Sequence, residues 1–369
     1  MPRLRAAVAR DRAVVADSST FELDLKGFQS ISAIDIIIRA TNGTTNNQAG
    51  YIHAEVDTIE VLDGSQVIYS LSGIQARALN CYEMKRYPAV TLDEQANAVQ
   101  QELFRVSFGR KLGDQLYWLD PARFQNPTLR VTVSMTIQAA TGFVTNTTVI
   151  TAVVWTWDDR PATRAGHFVT KEYKNFTSAA SGDDRGNLPV DMPWRMIVLR
   201  AFENQIAFHT DITQVKLTLD TDAYVPFDLR AEQLRDLNDE WFGRFHIPFL
   251  LDKTDGDTHD LLMAYPLSLS INTEGAANMA SIDARTIDRV TLQVIDFSTI
   301  GTPALETTDD PITIDVLGLG PHFAFALPFG DPDDPETWFN PAGHRTMEMV
   351  LTQGGAGAAV SYFGQQVAP

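Results

Sequence analysis

Asp252, Asp255, Asp257 and Asp260 fall within one nine-residue run, DKTDGDTHD, around Gly256. Carboxylates at this density supply the hard oxygen ligands that Ca2+ takes. The run lacks the closing glutamate and the flanking helices of an EF-hand loop. A solvated acidic turn explains the same residues, so Asp252, Asp255 and Asp257 stand only as weak metal candidates. A second acidic run, DPDDPE from Asp331 to Glu336, is stiffened by its prolines.

Other chemistries leave no pattern. The chain has no GxGxxG after a strand, no phosphate-binding GxxxxGK[ST] and no GxSxG nucleophile turn. It has no HExxH zinc motif and a single cysteine, Cys81, so zinc pairs and intrachain disulfides are both excluded. The seven histidines are scattered along the chain. With 47 acidic residues, carboxylate pairs arise by chance, and the separation a glycosidase needs is spatial. No catalytic residue and no cofactor is expected.

Net charge is −18, which argues against a general or sequence-specific nucleic-acid-binding surface. One stretch departs from this balance. Arg3, Arg5, Arg10 and Arg12 lie within the first twelve residues, opposed there only by Asp11. Leu4, Ala6, Ala7, Val8 and Ala9 lie between them, a composition that suggests one or two turns of amphipathic helix. Residues 1–19 therefore read as a docking arm. No secretory signal is expected there, because the stretch lacks a continuous apolar core.

The elements that must carry these residues are mostly strands. From Glu55 to Tyr87 the chain reads EVDTIEVLDGSQVIYSLSGIQARALNCYEMKRY. Near-alternating apolar residues on both sides of Asp63-Gly64 predict a hairpin. Ser72 and Gln75 have the spacing of a capping box, and Ile74, Ala78 and Tyr82 fall on one face of a short helix. The unit recurs 156 residues later, judged from Ile59 and Val215, in TQVKLTLDTDAYVPFDLRAEQLRDLNDEWF. The preceding strands also match, AIDIIIRATNG with RMIVLRAFEN. Such a period is too long for a solenoid and implies two similar domains in tandem. A chain of 369 residues also exceeds the usual single core.

Residues 20–160 are expected to form the first domain. The strand from Leu129 to Ile137 alternates without a fault, Ala140-Thr-Gly142 turns it, and Val149–Trp157 is the returning strand. Residues 91–101 read as helix or loop, and residues 158–190 as a linker plus one strand. Residues 161–369 are expected to form the second domain. Phe329-Gly330 and Trp338-Phe-Asn-Pro-Ala match Phe108-Gly109 and Trp118-Leu-Asp-Pro-Ala. This alignment makes residues 245–320 an excursion with strands of its own, such as Val290–Phe297. The fold class is all-β: two tandem eight-stranded jelly-roll β-sandwiches with short amphipathic helices.

These duplicated segments, with the Trp-x-[Asp/Asn]-Pro-Ala element, resemble the double jelly-roll major capsid proteins of tailless icosahedral viruses and bacteriophages. Many of those viruses contain an internal membrane. The resemblance covers about Phe21 to Val367 and carries no catalytic residues. It implies a structural protein of the virion, made in the host cytoplasm, that forms pseudo-hexagonal homotrimers. Its partners would be neighbouring trimers, other capsid proteins such as a penton, and lipid or adjacent subunits met by Arg3, Arg5, Arg10 and Arg12. Two other functions suit tandem jelly rolls: a glycan hydrolase with its cleft between the rolls, and a carbohydrate- or receptor-binding spike module.

Overall fold

The computed structural model describes residues 3–47, 50–161, 163–204, 206–251, 258–273, 291–293, 295–296, 304–305 and 312–369. Eight strands build the first roll: β1 (Leu4–Val14), β2 (Ser18–Asp24), β3 (Ile31–Asn47), β4 (Val56–Asp63), β5 (Gln66–Leu71), β6 (Val99–Ser107), β7 (Pro127–Ser134) and β8 (Val149–Trp157). Eight more build the second: β9 (His167–Thr177), β10 (Gly182–Leu188), β11 (Trp194–Phe202), β12 (Ile212–Leu219), β13 (Tyr224–Arg230), β14 (Ala324–Pro328), β15 (Met347–Gln353) and β16 (Ala359–Ala368). In each roll one layer follows first-eighth-third-sixth order and the other second-seventh-fourth-fifth. The pairings within a roll are antiparallel, so each roll is an eight-stranded jelly roll.

Alternation explains the layers. Along β7 every second residue from Pro127 to Val133 is buried, and the residues between face outward. Those side chains meet Ile34, Ile36, Ile38, Phe104 and Val106 of the opposing layer in one core. A second core, with Leu199, Val215, Leu217, Phe325 and Met349, fills the second roll.

The repeat extends to local detail. A four-residue helix precedes each hairpin: α1 (Ile52–Glu55) and α3 (Phe208–Asp211). A twelve-residue helix follows each hairpin: α2 (Gly73–Met84) and α4 (Ala231–Phe242). Gln75 and Gln233 each reach back to the backbone N–H three residues earlier, at 3.0 and 2.9 Å. The oxygens of Asp120 and Asn340 each accept the N–H of the alanine two residues on, an Asx turn that explains the [Asp/Asn]-Pro-Ala element. The first hairpin turns on Gly64, at φ +59°. The second turns on Asp220, Thr221 and Asp222, all at positive φ. His344 and the N–H groups of Arg345 and Thr346 hold the Asp220 carboxylate and so fix that turn.

Several expectations change. Residues 4–14 are not helical. They form β1, paired along its length with β8, because the alternating pattern around Val8 suits a sheet margin and so short a helix gains little in water. Residues 158–190 supply two strands rather than one, and β6 begins at Val99, inside the stretch read as helix or loop. Phe245–Leu251, Ile312–Pro321 and Met263–Thr273 form a separate three-stranded sheet, and β14 holds in the second roll the place of β6 in the first. Of the expected strand Val290–Phe297, Thr291–Gln293 and Ile295–Asp296 are strands and the remaining residues lie outside the described ones.

One asparagine in each long helix satisfies a strand edge. Asn80 accepts from the Arg105 N–H and donates to its carbonyl, both at 2.7 Å. Asn238 does the same for Ala326, at 2.9 and 2.8 Å. Replacing either with leucine strands an N–H and a C=O, buried at Ala326 and partly buried at Arg105. We expect Asn80→Leu and Asn238→Leu each to cost about 2–4 kcal/mol. Thermal melting should record both as clear drops in Tm, and an unchanged Tm would contradict the assignment.

Candidate functional site: the seam and the open edges

The two rolls meet where β5 lies parallel to β9. Tyr69 faces Thr170 and Ser70 faces Lys171. This joins one layer of each roll into a single eight-stranded sheet. The helix α2 follows β5 directly and packs into the same seam. Nine of its twelve residues are buried, although its sequence is amphipathic. The polar residues among them bond across the seam. Gln75 donates to Glu172 and, at 3.1 Å, to Ser361. The Tyr82 hydroxyl donates to the Ala324 carbonyl.

Two buried charge networks flank the helix. In the first, Glu83 accepts from Gln365 at 2.7 Å and Ser107 at 3.0 Å, with Arg195 at 4.0 Å. Arg195 also donates to Gln365 Oε1 at 2.7 Å and to the Pro332 carbonyl at 2.8 Å. Burial pushes the Glu83 carboxyl above its ordinary value, and Arg195 and its hydrogen bonds offset this only in part. In the second network Glu102 meets His53 at 2.8 Å and Arg77 at 3.4 Å. Burial alone would raise Glu102, but the charge and hydrogen bond of His53, then Arg77, hold it below the usual carboxylate range. The Arg77 guanidinium sits 4.6 Å over the Tyr87 ring, and Tyr87 bonds His322 at 2.8 Å. A cavity of about 330 Å³ opens beside this network, lined by Tyr51, His53, Arg200, Asp260 and His322 among others. Its two histidines are tied to Glu102 and Tyr87, and their rings meet edge to face at 4.6 Å.

The arginines singled out from the sequence lie together on the outer edge of the first roll. Arg5 pairs with Asp158 at 3.0 Å, and the Arg12 N–H bonds Thr151 at 3.1 Å. Among the described residues Arg10 and Arg12 make no ion pair, and both are exposed. Asp252, Asp255 and Asp257 lie outside the described residues. Asp260 is described and borders the seam cavity. Among the described residues no three His, Cys, Asp or Glu side chains cluster to hold a metal. No helix among them is long and apolar enough to cross a membrane. Sequence reasoning missed the seam residues Glu83, Glu102, Arg77 and Arg195. Their one visible sign was a charge in or beside an apolar run, as in Trp194-Arg-Met-Ile.

No family model and no curated protein matches this chain. Solved structures do. The major capsid protein of STIV aligns with 100% of this chain and 97% of its own length, at 12% identity and TM-score 0.55. The major capsid protein P2 of bacteriophage PM2 aligns over 98% of each chain, at 9% identity and TM-score 0.52. VP54 of PBCV-1 aligns over 99% of this chain and 93% of its own, at 9% identity and TM-score 0.58. The chain is similar to them in fold, over both rolls.

The buried histidines oppose folding as pH falls. Burial pushes the His322 imidazole well below its ordinary value, and the charges of His53, Arg77 and Arg200 add to this. Burial, then Arg164 and Arg123, lowers His167 to about 3. Both rings stay neutral when folded. Below pH of about 6.5 the unfolded chain takes up protons that the folded chain refuses, so stability falls as pH drops. Each ring removes about 1.4 kcal/mol per pH unit within that window. The Glu102 contribution is lost only at lower pH, below the ordinary carboxylate value. The raised Glu83 and Asp211 carboxyls act in the opposite sense as pH falls, so the His322 contribution is read as a difference: from pH 7 to 5 the Tm of His322→Gln should gain on that of the unaltered chain. An unaltered slope in the variant would show that His322 is not the group responsible.

Proposed function

We propose that this chain is a major capsid protein, a structural unit of an icosahedral virion shell. Three copies form a pseudo-hexagonal trimer, and trimers tile the shell with other capsid components such as a penton protein at its vertices. One observation carries the reading: the double jelly-roll topology runs through both rolls and aligns over more than nine-tenths of three viral major capsid proteins. The interior of the chain suits such a role. Apart from the cavity that Asp260 borders, its seam is filled by α2 and by charges, and the seam carboxylates Glu83 and Glu102 are buried rather than accessible to a substrate as a hydrolase acting between rolls requires. Function then lies in surfaces that meet other copies.

Arg3, Arg5, Arg10 and Arg12 are assigned to contacts between subunits. Their position on a sheet margin supports this, since a paired strand presents a fixed edge rather than a free helix to lie on lipid. Attraction between this basic edge and an acidic surface weakens as salt rises.

The purified chain should run as a trimer by light scattering and native mass. Replacing the four arginines with serine should reduce particle or trimer yield about tenfold, with high salt mimicking the defect. A monomer at high concentration would count against the shell role. Intact particles that lose only their lipid would move the arginines from neighbouring subunits to a membrane.

A further inference from the structure

The two rolls have the same edges but not the same neighbours. In the first roll the fifth strand, β5, is covered by β9. In the second roll the corresponding strand, β13, pairs among the described residues only with β12, and its other edge is open there. Likewise β9, the first strand of the second roll, is covered, while among the described residues nothing pairs with β1, the first strand of the first roll, beyond β8.

Burial follows this difference. Three of the six residues of β5 are buried and none of β13 is. Four residues of β9 are buried and none of β1 is. The two long helices differ in the same way: nine buried residues in α2 against four in α4. Four of the eight large exposed apolar side chains among the described residues lie on the uncovered set. Val8 (62% exposed) and Val14 (68%) lie on β1, Tyr224 (50%) on β13 and Trp241 (37%) on α4. Open strand edges with apolar residues are templates for pairing with another chain.

We infer that the open edge of β13, with α4, receives β1 of a second copy of this chain, repeating between molecules the parallel contact that β5, α2 and β9 make within one. The inference rests on the self-assembling role proposed above and names the strands that carry it.

The repeat sets the register. Arg39 in β3 matches Arg200 in β11 in the aligned segments. Val8 reaches Asp35 through Val153, as Thr170 reaches Met196 through Gln365, so Val8 stands where Thr170 does. Arg10 reaches Ile36 through Ala152, as Lys171 reaches Ile197 through Gly364, so Arg10 stands where Lys171 does. On the other edge Tyr69 and Ser70 lie opposite Val61 and Glu60, as Phe227 and Asp228 lie opposite Leu217 and Lys216. The internal pairs Tyr69–Thr170 and Ser70–Lys171 therefore become Phe227–Val8 and Asp228–Arg10 between chains. The first is an apolar pair and the second joins opposite charges. Gln233 holds the helix position of Gln75, which reaches Glu172 within the chain. Pro226, which has no N–H to donate, sits on β13, where an edge strand tolerates it.

Cross-linking and charge reversal test this. Adjacent strands bring paired Cα atoms within disulfide reach, roughly 5 Å. Each chain of the Val8→Cys, Phe227→Cys double variant carries both new thiols, and the native Cys81 is buried. Mild oxidation should link most chains into a closed covalent ring, whereas Arg5→Cys with Phe227→Cys should link at least about tenfold less. In unlinked protein, Arg10→Asp or Asp228→Arg should weaken self-association about tenfold or more, and combining them should restore most of it. Light scattering of the unaltered chain reads self-association separately. Trimers that form without the Val8–Phe227 link, or a double reversal no better than the worse single, would overturn the edge pairing and leave the shell role standing. A unaltered chain that stays monomeric would overturn both.

Discussion

A β-sheet that ends in an open strand leaves a row of N–H and C=O groups with no partner but water. A jelly roll has such edges on both layers. Here one pair of them is resolved within the chain, by β5 lying against β9. Much else follows from that contact. It fixes the second roll beside the first, it buries α2, and it brings Glu83 and Arg195 to 4.0 Å although they are far apart in sequence. Apolar burial drives each roll to form. The edge contact determines how the two rolls are arranged.

The helices show how far context outweighs local sequence. Both follow the fifth strand of a roll, both run for twelve residues, and each carries an asparagine bonded to the neighbouring strand. Their fates differ because only α2 has a second roll against it. The sequence does register this. In α4 the outward positions are Glu232, Gln233, Asp236, Glu240 and Trp241, while α2 carries Ala76, Ala78, Leu79 and Cys81 in a more uniformly small and apolar run. An amphipathic pattern was visible in both helices, but the surface that covers the polar face of α2 lies more than 80 residues away in sequence, in β9 and β16.

What could be read from sequence was whatever depends on neighbouring residues. The turn at Asp63-Gly64 and the cap at Ser72 are local, and each stands in the structure as read, whereas the alternation read from Leu129 to Ile137 holds as a strand only to Ser134 and leaves Ile137 exposed. The duplication was legible because similar local patterns recur in the same order. What escaped depends on distant partners. Residues 4–14 carry small apolar residues between arginines, which suits a short helix as well as a strand; the β8 edge decides between them. Asn80 and Asn238 occupy equivalent places in the repeated unit, so aligning the two helices exposes them, but their role needs β6 and β14 in place. Glu102 and Arg77 escaped because charged residues are seldom fully buried and their partners are distant in sequence.

The polar filling of the seam has a cost and a consequence. Desolvating Glu102, Arg77 and Arg195 offsets most of the attraction among them, so these pairs add little net stability over an apolar filling. Breaking one of them while its partner stays buried costs about 3–5 kcal/mol. A one-residue slip of β5 along β9 would separate several at once, because Glu83, Gln365 and Arg195 come from α2, β16 and β11. An apolar seam would tolerate such a slip far better. The seam thus trades stability for a single register between the rolls.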